Sequence, residues 1–143
     1  MKIILRDDRR YVLRFDKGEE LIEGLIGFCE TEKIEAGWFF GIGAVSEIII
    51  SHYEVDAKKY SDREYKEKLE IISLLGNIAK MTDKGEEKTI IHIHGSFSNP
   101  EMATIAGHIK KLIVGPTCEI VLEKLEGKIE REYSDEIGLN LMR

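Results

Sequence analysis

Short runs in which apolar and polar residues alternate recur along the chain, and this period of two is typical of β-strands with one buried face. Glycine, proline and charged residues separate the runs, as expected for hairpin turns. The clearest turns are Asp83-Lys84-Gly85 and Glu126-Gly127-Lys128. The predicted strands are Ile3–Leu5, Tyr11–Phe15, two strands within Ala36–Tyr53, Leu69–Met81, Lys88–Ser96, Lys111–Val114, Cys118–Leu125 and Ile129–Tyr133.

One stretch has helical spacing instead. Asp16-Lys17-Gly18 is a helix start signal, and the helix is expected to end near residues 31–33. Gly24 and Gly27 lower its intrinsic propensity, so we expect them to allow a sheet to approach closely. The broad apolar face of this helix is predicted to consist of Leu21, Ile22, Leu25, Ile26, Phe28 and Cys29.

The remaining segments are less regular. Residues 56–67 are polar and predict a loop or an exposed edge, and the last ten residues predict a weakly ordered tail. Gly41-Ile42-Gly43 predicts a bulge, a turn or a close backbone approach between two strands. A phosphate-binding loop is the less favoured alternative, because a third glycine and a following helix are both missing. Together, the predicted strands and helix indicate an α+β (α/β) fold. We expect a single compact domain over residues 1–143 with a mainly antiparallel sheet and one principal helix.

Composition restricts the classes of function. The chain has 27 acidic and 21 basic residues, a net charge of −6, which argues against general nucleic-acid binding because such binding relies on Lys and Arg. Charged residues are rich in Glu and Lys while glutamine is absent, a bias typical of heat-loving organisms. No apolar run approaches the roughly 20 residues of a membrane helix and no signal peptide is evident, so a cytoplasmic protein without membrane association is expected. Cys29 and Cys118 lie in unrelated contexts and predict buried free thiols.

Three of the four histidines are candidates for chemistry. His92 and His94 are two residues apart on a predicted strand, so their side chains leave the same face, and His108 follows from an expected loop. Imidazoles suit Zn²⁺ or another divalent metal, and three protein ligands would leave one coordination position open. The alternative is that polar residues simply alternate with isoleucine on a half-exposed strand, with His108 merely nearby in the sequence. His52, at a strand end, is expected to be a surface residue rather than a fourth ligand.

The sequence assigns no catalytic residue. No acidic partner is fixed by spacing to the histidines, and Ser46 and Ser96 lack the Gly-x-Ser-x-Gly elbow of serine hydrolases. The aromatic run Trp38, Phe39 and Phe40 is more typical of a core or a subunit interface than of a ligand platform.

Several segments, taken in order, resemble the pattern of a known domain family. They are Tyr11–Phe15 with Gly18–Leu21, Ala36–Trp38 with Gly41–Glu47, Leu69–Ile78, Ile91–His94, Gly107–Ile109 and Pro116–Ile120. Together they cover about residues 10–125 and resemble the PPC (plants and prokaryotes conserved) domain, which plant nuclear proteins carry behind AT-hook motifs. The third histidine follows Ala106-Gly107 where the family usually has two glycines, a mild departure.

The resemblance implies a compact α/β domain that forms a homotrimer, with strands and apolar faces buried between subunits, and a chain that consists of this domain alone. It also implies a metal, Zn²⁺ or another divalent ion, at His92, His94 and His108, because some prokaryotic members hold one at equivalent histidines. The AT-hook that enters the minor groove in the plant proteins is missing, so the DNA label of the family does not transfer to these residues.

We therefore favour a homotrimeric assembly and ligand- or metal-binding module, whose link to DNA or transcription would run through partners, over an enzyme. The alternative is a zinc-dependent enzyme that acts on a small molecule through the three histidines. Direct nucleic-acid binding ranks lowest because the chain is acidic.

Overall fold

Nine strands and one helix make up the structure, a computed structural model that describes all 143 residues. Neighbouring strands are antiparallel except for β5 and β8, so the expected mainly antiparallel sheet with one helix is confirmed. The elements are β1 (Lys2–Arg6), β2 (Arg10–Asp16), α1 (Leu21–Thr31), β3 (Gly37–Glu54), β4 (Lys59–Tyr65), β5 (Leu69–Asp83), β6 (Glu86–Ser98), β7 (Thr104–Lys124), β8 (Glu130–Ser134) and β9 (Leu139–Met142).

The four long strands β3, β5, β6 and β7 pair in a closed ring. Strand β7 pairs with β3 on one edge, and on its other edge it pairs with β6 near its start and with β2 near its end. Strand β4 extends β3 as an exposed edge, one of the two outcomes expected for residues 56–67. Alternate residues of the ring therefore face either the core or the outer surface.

Two glycine-containing regions are continuous strands, which corrects the sequence prediction. Ala36–Tyr53 was expected to hold two strands and instead lies almost wholly in β3, while Lys111–Val114 and Cys118–Leu125 lie almost wholly in β7. Gly43 has a φ of +148°, and a Cβ atom there would lie 2.3 Å from the carbonyl oxygen of Thr117. The glycine thus permits a close approach of β3 to β7, and the register shifts beside it are bulges within the strand.

Helix α1 packs across β6 and β7. It begins after Glu20, whose side chain accepts a hydrogen bond from the Glu23 backbone N–H at 2.6 Å and caps the first turn. A Cβ atom at Gly24 would lie 2.5 Å from Phe15 Cε1, whereas one at Gly27 would meet no atom within 4 Å. The expected close approach to the sheet therefore holds at the first glycine only. The buried residues of α1 are Leu21, Leu25, Phe28 and Cys29.

The C-terminal residues are ordered, so the predicted tail is wrong. Strand β9 pairs antiparallel with β8, and this C-terminal hairpin joins the sheet through β5. The hydroxyl of Tyr53 donates to the carbonyl of Ile137 at 2.7 Å, which ties the hairpin turn to β3. Long-range contacts of this kind order a segment whose own pattern is weak.

The apolar core contains 24 buried residues, including Cys29 and Cys118. Both cysteines are free and fully buried, as the sequence predicts. No helix has the length and apolarity that a membrane span requires.

Candidate metal centre

Three histidines meet on the outer surface of the ring, where β6 lies beside β7. His92 and His94 project from β6, and His108 projects from β7 directly opposite His94. The ring centroids are 5.1–5.3 Å apart, and one donor nitrogen from each ring lies within 4.8 Å of the others. The structure thus brings the three predicted ligands together, although His108 comes from a strand and not from the expected loop. The reason is that β7 begins seven strand residues earlier than its sequence pattern indicates.

The donor set fits a divalent ion such as Zn²⁺. Nitrogens bound at roughly 2.0–2.1 Å to one tetrahedral zinc would lie about 3.4 Å apart, so modest side-chain rotations would complete the triangle. The Nδ1 atom of His108 is buried and has no hydrogen-bond partner. Burial lowers the pKa of His108 to about 4 and also lowers the pKa of His92. Both rings are therefore neutral at pH 7, the form that binds metals.

Arg131 on β8 is a neighbour of the site that the sequence does not reveal. Its Nη2 donates to Asn77 Oδ1 at 2.9 Å and lies 3.3 Å from His92 Nδ1, while its Nη1 donates to the Asn140 carbonyl at 2.9 Å. Its Nε–H is buried without an acceptor, and burial lowers the pKa of the guanidinium. Arg131 is 39 residues from His92 in sequence and belongs to no motif, so only the pairing of β8 with β5 indicates its place.

A second polar group borders His108. The Tyr60 ring lies 5.3 Å from the His108 ring, and Lys110 Nζ lies 4.6 Å from the Tyr60 centroid. Lys110 also pairs with Asp62 at 2.8 Å, and the Ser51 hydroxyl donates to the same carboxylate at 2.8 Å. Asp62 is therefore already engaged, and none of the three clustered histidines is paired with a carboxylate.

The histidines border an exposed apolar face. Phe40 on β3 lies opposite Leu75 on β5, and Leu75 lies opposite His94 on β6, so the face and the histidines form one row. A groove of about 730 Å³ runs along this row. More than half of each side chain in this apolar face is exposed, and its members are Trp38, Phe40, Ile42, Ile72 and Leu75. Apolar surface of this extent is typical of a binding surface.

The other candidate residues lie outside the cluster. His52 is exposed and its Nε2 lies 3.4 Å from Glu54 Oε1, so it is a surface residue as expected. The Ser46 hydroxyl contacts backbone carbonyls of β7, and the Ser96 hydroxyl bonds to that of Ser73 at 3.0 Å. Neither serine has the histidine partner that a nucleophile requires.

Comparison with known proteins finds a matching family model and several similar solved structures. A family model described as the Plants and Prokaryotes Conserved (PCC) domain matches residues 5–126. A plant- and prokaryote-conserved (PPC) protein from Pyrococcus horikoshii is 33% identical, with a TM-score of 0.86 over 94% of this chain and 91% of that one. A metal-containing protein from Archaeoglobus fulgidus is 30% identical, with a TM-score of 0.86 over 100% and 99% of the two chains. A proposed DNA-binding protein from Bacteroides thetaiotaomicron is 27% identical, with a TM-score of 0.89 over 97% and 94%. No curated protein matches the chain.

Proposed function

Since the chain belongs to the Plants and Prokaryotes Conserved domain family, we propose that it is a homotrimeric module that binds a divalent metal through His92, His94 and His108. Zn²⁺ suits this donor set because imidazole nitrogens are among its preferred ligands. A bound ion would supply a fixed positive charge and a Lewis acid at the surface of the ring.

One observation carries the metal proposal: three donor nitrogens on two paired strands converge to within 4.8 Å. The His108 ring adds to it, because a buried polar atom without a partner costs about 1–3 kcal/mol and coordination through Nδ1 would remove that cost. The Archaeoglobus fulgidus relative, whose name describes it as metal-containing, supports the same role.

The metal proposal predicts a stoichiometry that elemental analysis measures. After incubation with Zn²⁺ and removal of free ion, the protein should hold about one ion per three-histidine cluster. His94→Ala removes one of three ligands, so metal affinity should fall by about tenfold or more. His52→Ala is the matched control, because it removes an exposed histidine outside the cluster and should leave the stoichiometry unchanged. Absence of metal from the wild type, or equal occupancy in His94→Ala, would contradict the proposal.

The homotrimer is supported by the apolar face and by what the family implies. Its large side chains are more than half exposed in a single chain, and water contact with so much apolar surface is unfavourable. A second copy of the chain would cover this face, and the neighbouring histidines would then lie close to a subunit boundary.

A link to DNA or transcription would run through partner proteins. The Bacteroides thetaiotaomicron relative is named as a proposed DNA-binding protein. This chain, however, carries a net charge of −6, and electrostatic attraction to phosphates supplies most non-specific affinity for DNA. In a titration with duplex DNA at two salt concentrations, we therefore expect no binding whose affinity falls steeply as salt rises.

A metal-dependent enzyme is the second candidate, favoured by the absence of a fourth side-chain donor from the cluster. Three protein ligands and one open position are the pattern of catalytic rather than structural zinc sites. Arg131 lies beside the site as a cation, and Asp62, the carboxylate beside His108, is paired with Lys110. This arrangement supports binding and polarisation of a ligand better than proton abstraction.

A further inference from the structure

Arg131 is a half-buried cation without an acidic partner. The nearest acids in sequence pair with other cations: Glu130 with Lys128 and Arg143, and Glu132 with Arg143. The acceptors of Arg131 are a carbonyl and an amide oxygen, both neutral, and its Nε–H has none. Burying a charge without a counterion is unfavourable, so this guanidinium has an unused capacity to bind an anion.

The charge around the histidine cluster also favours the binding of an anion. Neutral imidazoles would leave the two positive charges of a bound divalent ion uncompensated, and Arg131 adds a third within 3.3 Å of a His92 nitrogen. Asp62, the acid beside His108, is already neutralised by Lys110. Glu123 lines the groove beside His92 and His94 but pairs with neither histidine. Since no carboxylate is paired with the three histidines or with Arg131, electrostatics favour an anionic ligand at the open position.

We propose that the centre formed by His92, His94 and His108 binds a small carboxylate anion, with Arg131 as its charge partner. This inference rests on the proposed metal site and names the class of its ligand. A guanidinium is planar and presents paired N–H groups that match the two oxygens of a carboxylate. Arg131 is thus assigned to ligand binding, while its bonds to Asn77 and to the Asn140 carbonyl hold it in place.

Acetate titration of the Co²⁺-loaded protein tests the proposal, because the visible absorption of Co²⁺ changes when a ligand enters its coordination sphere. Acetate should produce a saturable change in the wild type, whereas acetamide, an uncharged analogue, should produce none. Arg131→Met should weaken apparent acetate affinity about tenfold or more, since it removes a charge-assisted contact. Arg143→Met, which removes a cation of the same C-terminal hairpin that pairs with acids, is the matched control and should bind acetate within about twofold of the wild type.

Metal stoichiometry is measured for every variant before titration, so that a failure of the metal proposal can be distinguished from a failure of the carboxylate proposal. A wild type without metal overturns the proposed function. A metal-loaded wild type that does not respond to acetate, or that responds to inorganic phosphate alone, overturns the carboxylate inference and leaves the metal site standing. Equal acetate affinity in metal-loaded wild type and Arg131→Met also overturns it. If Arg131→Met does not fold, Arg131→Lys serves instead. An acetate affinity of Arg131→Lys equal to that of the wild type would again overturn the inference, because lysine lacks the planar fork of a guanidinium.

Discussion

Cys29 and Cys118 illustrate how burial determines the chemistry of a single residue. Desolvation raises the pKa of each thiol to about 12, and only the thiolate is nucleophilic. At pH 8 the thiolate fraction of the folded protein should be about a thousandfold below that of an unperturbed cysteine. Labelling with a thiol-specific disulfide reagent should therefore be very slow in the native protein and fast in denaturant. Rapid labelling of either cysteine under native conditions would contradict this prediction.

The candidate site was predictable from the sequence only where its residues are close in sequence. His92 and His94 share a face because strand side chains alternate, and this follows from their spacing alone. The contact of His108 with them depends on the register of β6 against β7, which the sequence did not specify. Arg131 is further removed, because its contact with Asn77 joins residues 54 apart. Residue types and spacing thus predicted that His92 and His94 share a face, whereas the contact with His108 and the position of the charged neighbour required the fold.

Helix α1 provides a prediction at the scale of one element. Gly27→Ala should raise the free energy of unfolding by up to about 1 kcal/mol, because alanine favours a helix and its Cβ would meet no atom within 4 Å. Gly24→Ala has the same helical gain, but its Cβ would lie 2.5 Å from Phe15 Cε1 in the core. Overpacking of a core costs about 1–3 kcal/mol, so Gly24→Ala should be less stable than Gly27→Ala by about that amount.

Urea denaturation of the two variants measures this difference directly, since they make the same substitution in the same helix. If the two proteins unfold with equal free energies, the close packing of α1 on Phe15 is not a determinant of stability. Far-UV circular dichroism of both variants checks that the helix itself is retained.

Strand lengths were the least predictable feature of the elements. Local patterns indicated short strands because glycine and proline usually interrupt a sheet. In β3 the interruption is absorbed by bulges, and Gly43 is compatible with the close approach of Thr117. Whether a glycine ends a strand or bends it depends on the neighbouring strand, which a local pattern does not contain.

At the scale of the whole molecule, the C-terminal hairpin is joined to the histidine centre. Arg131 connects the Asn140 carbonyl on β9 with Asn77 on β5 and lies against His92 on β6. The last ten residues of the chain were predicted as a weakly ordered tail because this segment forms no strong apolar pattern. Its order comes from contacts with distant strands, and those same contacts bring a cation to the site.

Assembly gives the last prediction, which concerns the apolar face. Light scattering should give the wild type a mass three times that of the 16.4 kDa chain. Leu75 is 63% exposed at the centre of the row that joins Phe40 to His94, so Leu75→Glu would bury a charge if this face lies between subunits. Burial of an unpaired charge is strongly unfavourable, and the variant should therefore shift towards the monomer mass.

Val55→Glu is the matched control for assembly, because Val55 is 56% exposed at the β3–β4 turn, outside the apolar face. This variant should keep the mass of the wild type. A monomeric wild type would exclude the homotrimer, and an unchanged mass for Leu75→Glu would place the interface elsewhere. If the proposal holds, the subunit boundary runs beside His94, and dilution to monomer should then also alter access of Zn²⁺ to the histidine centre.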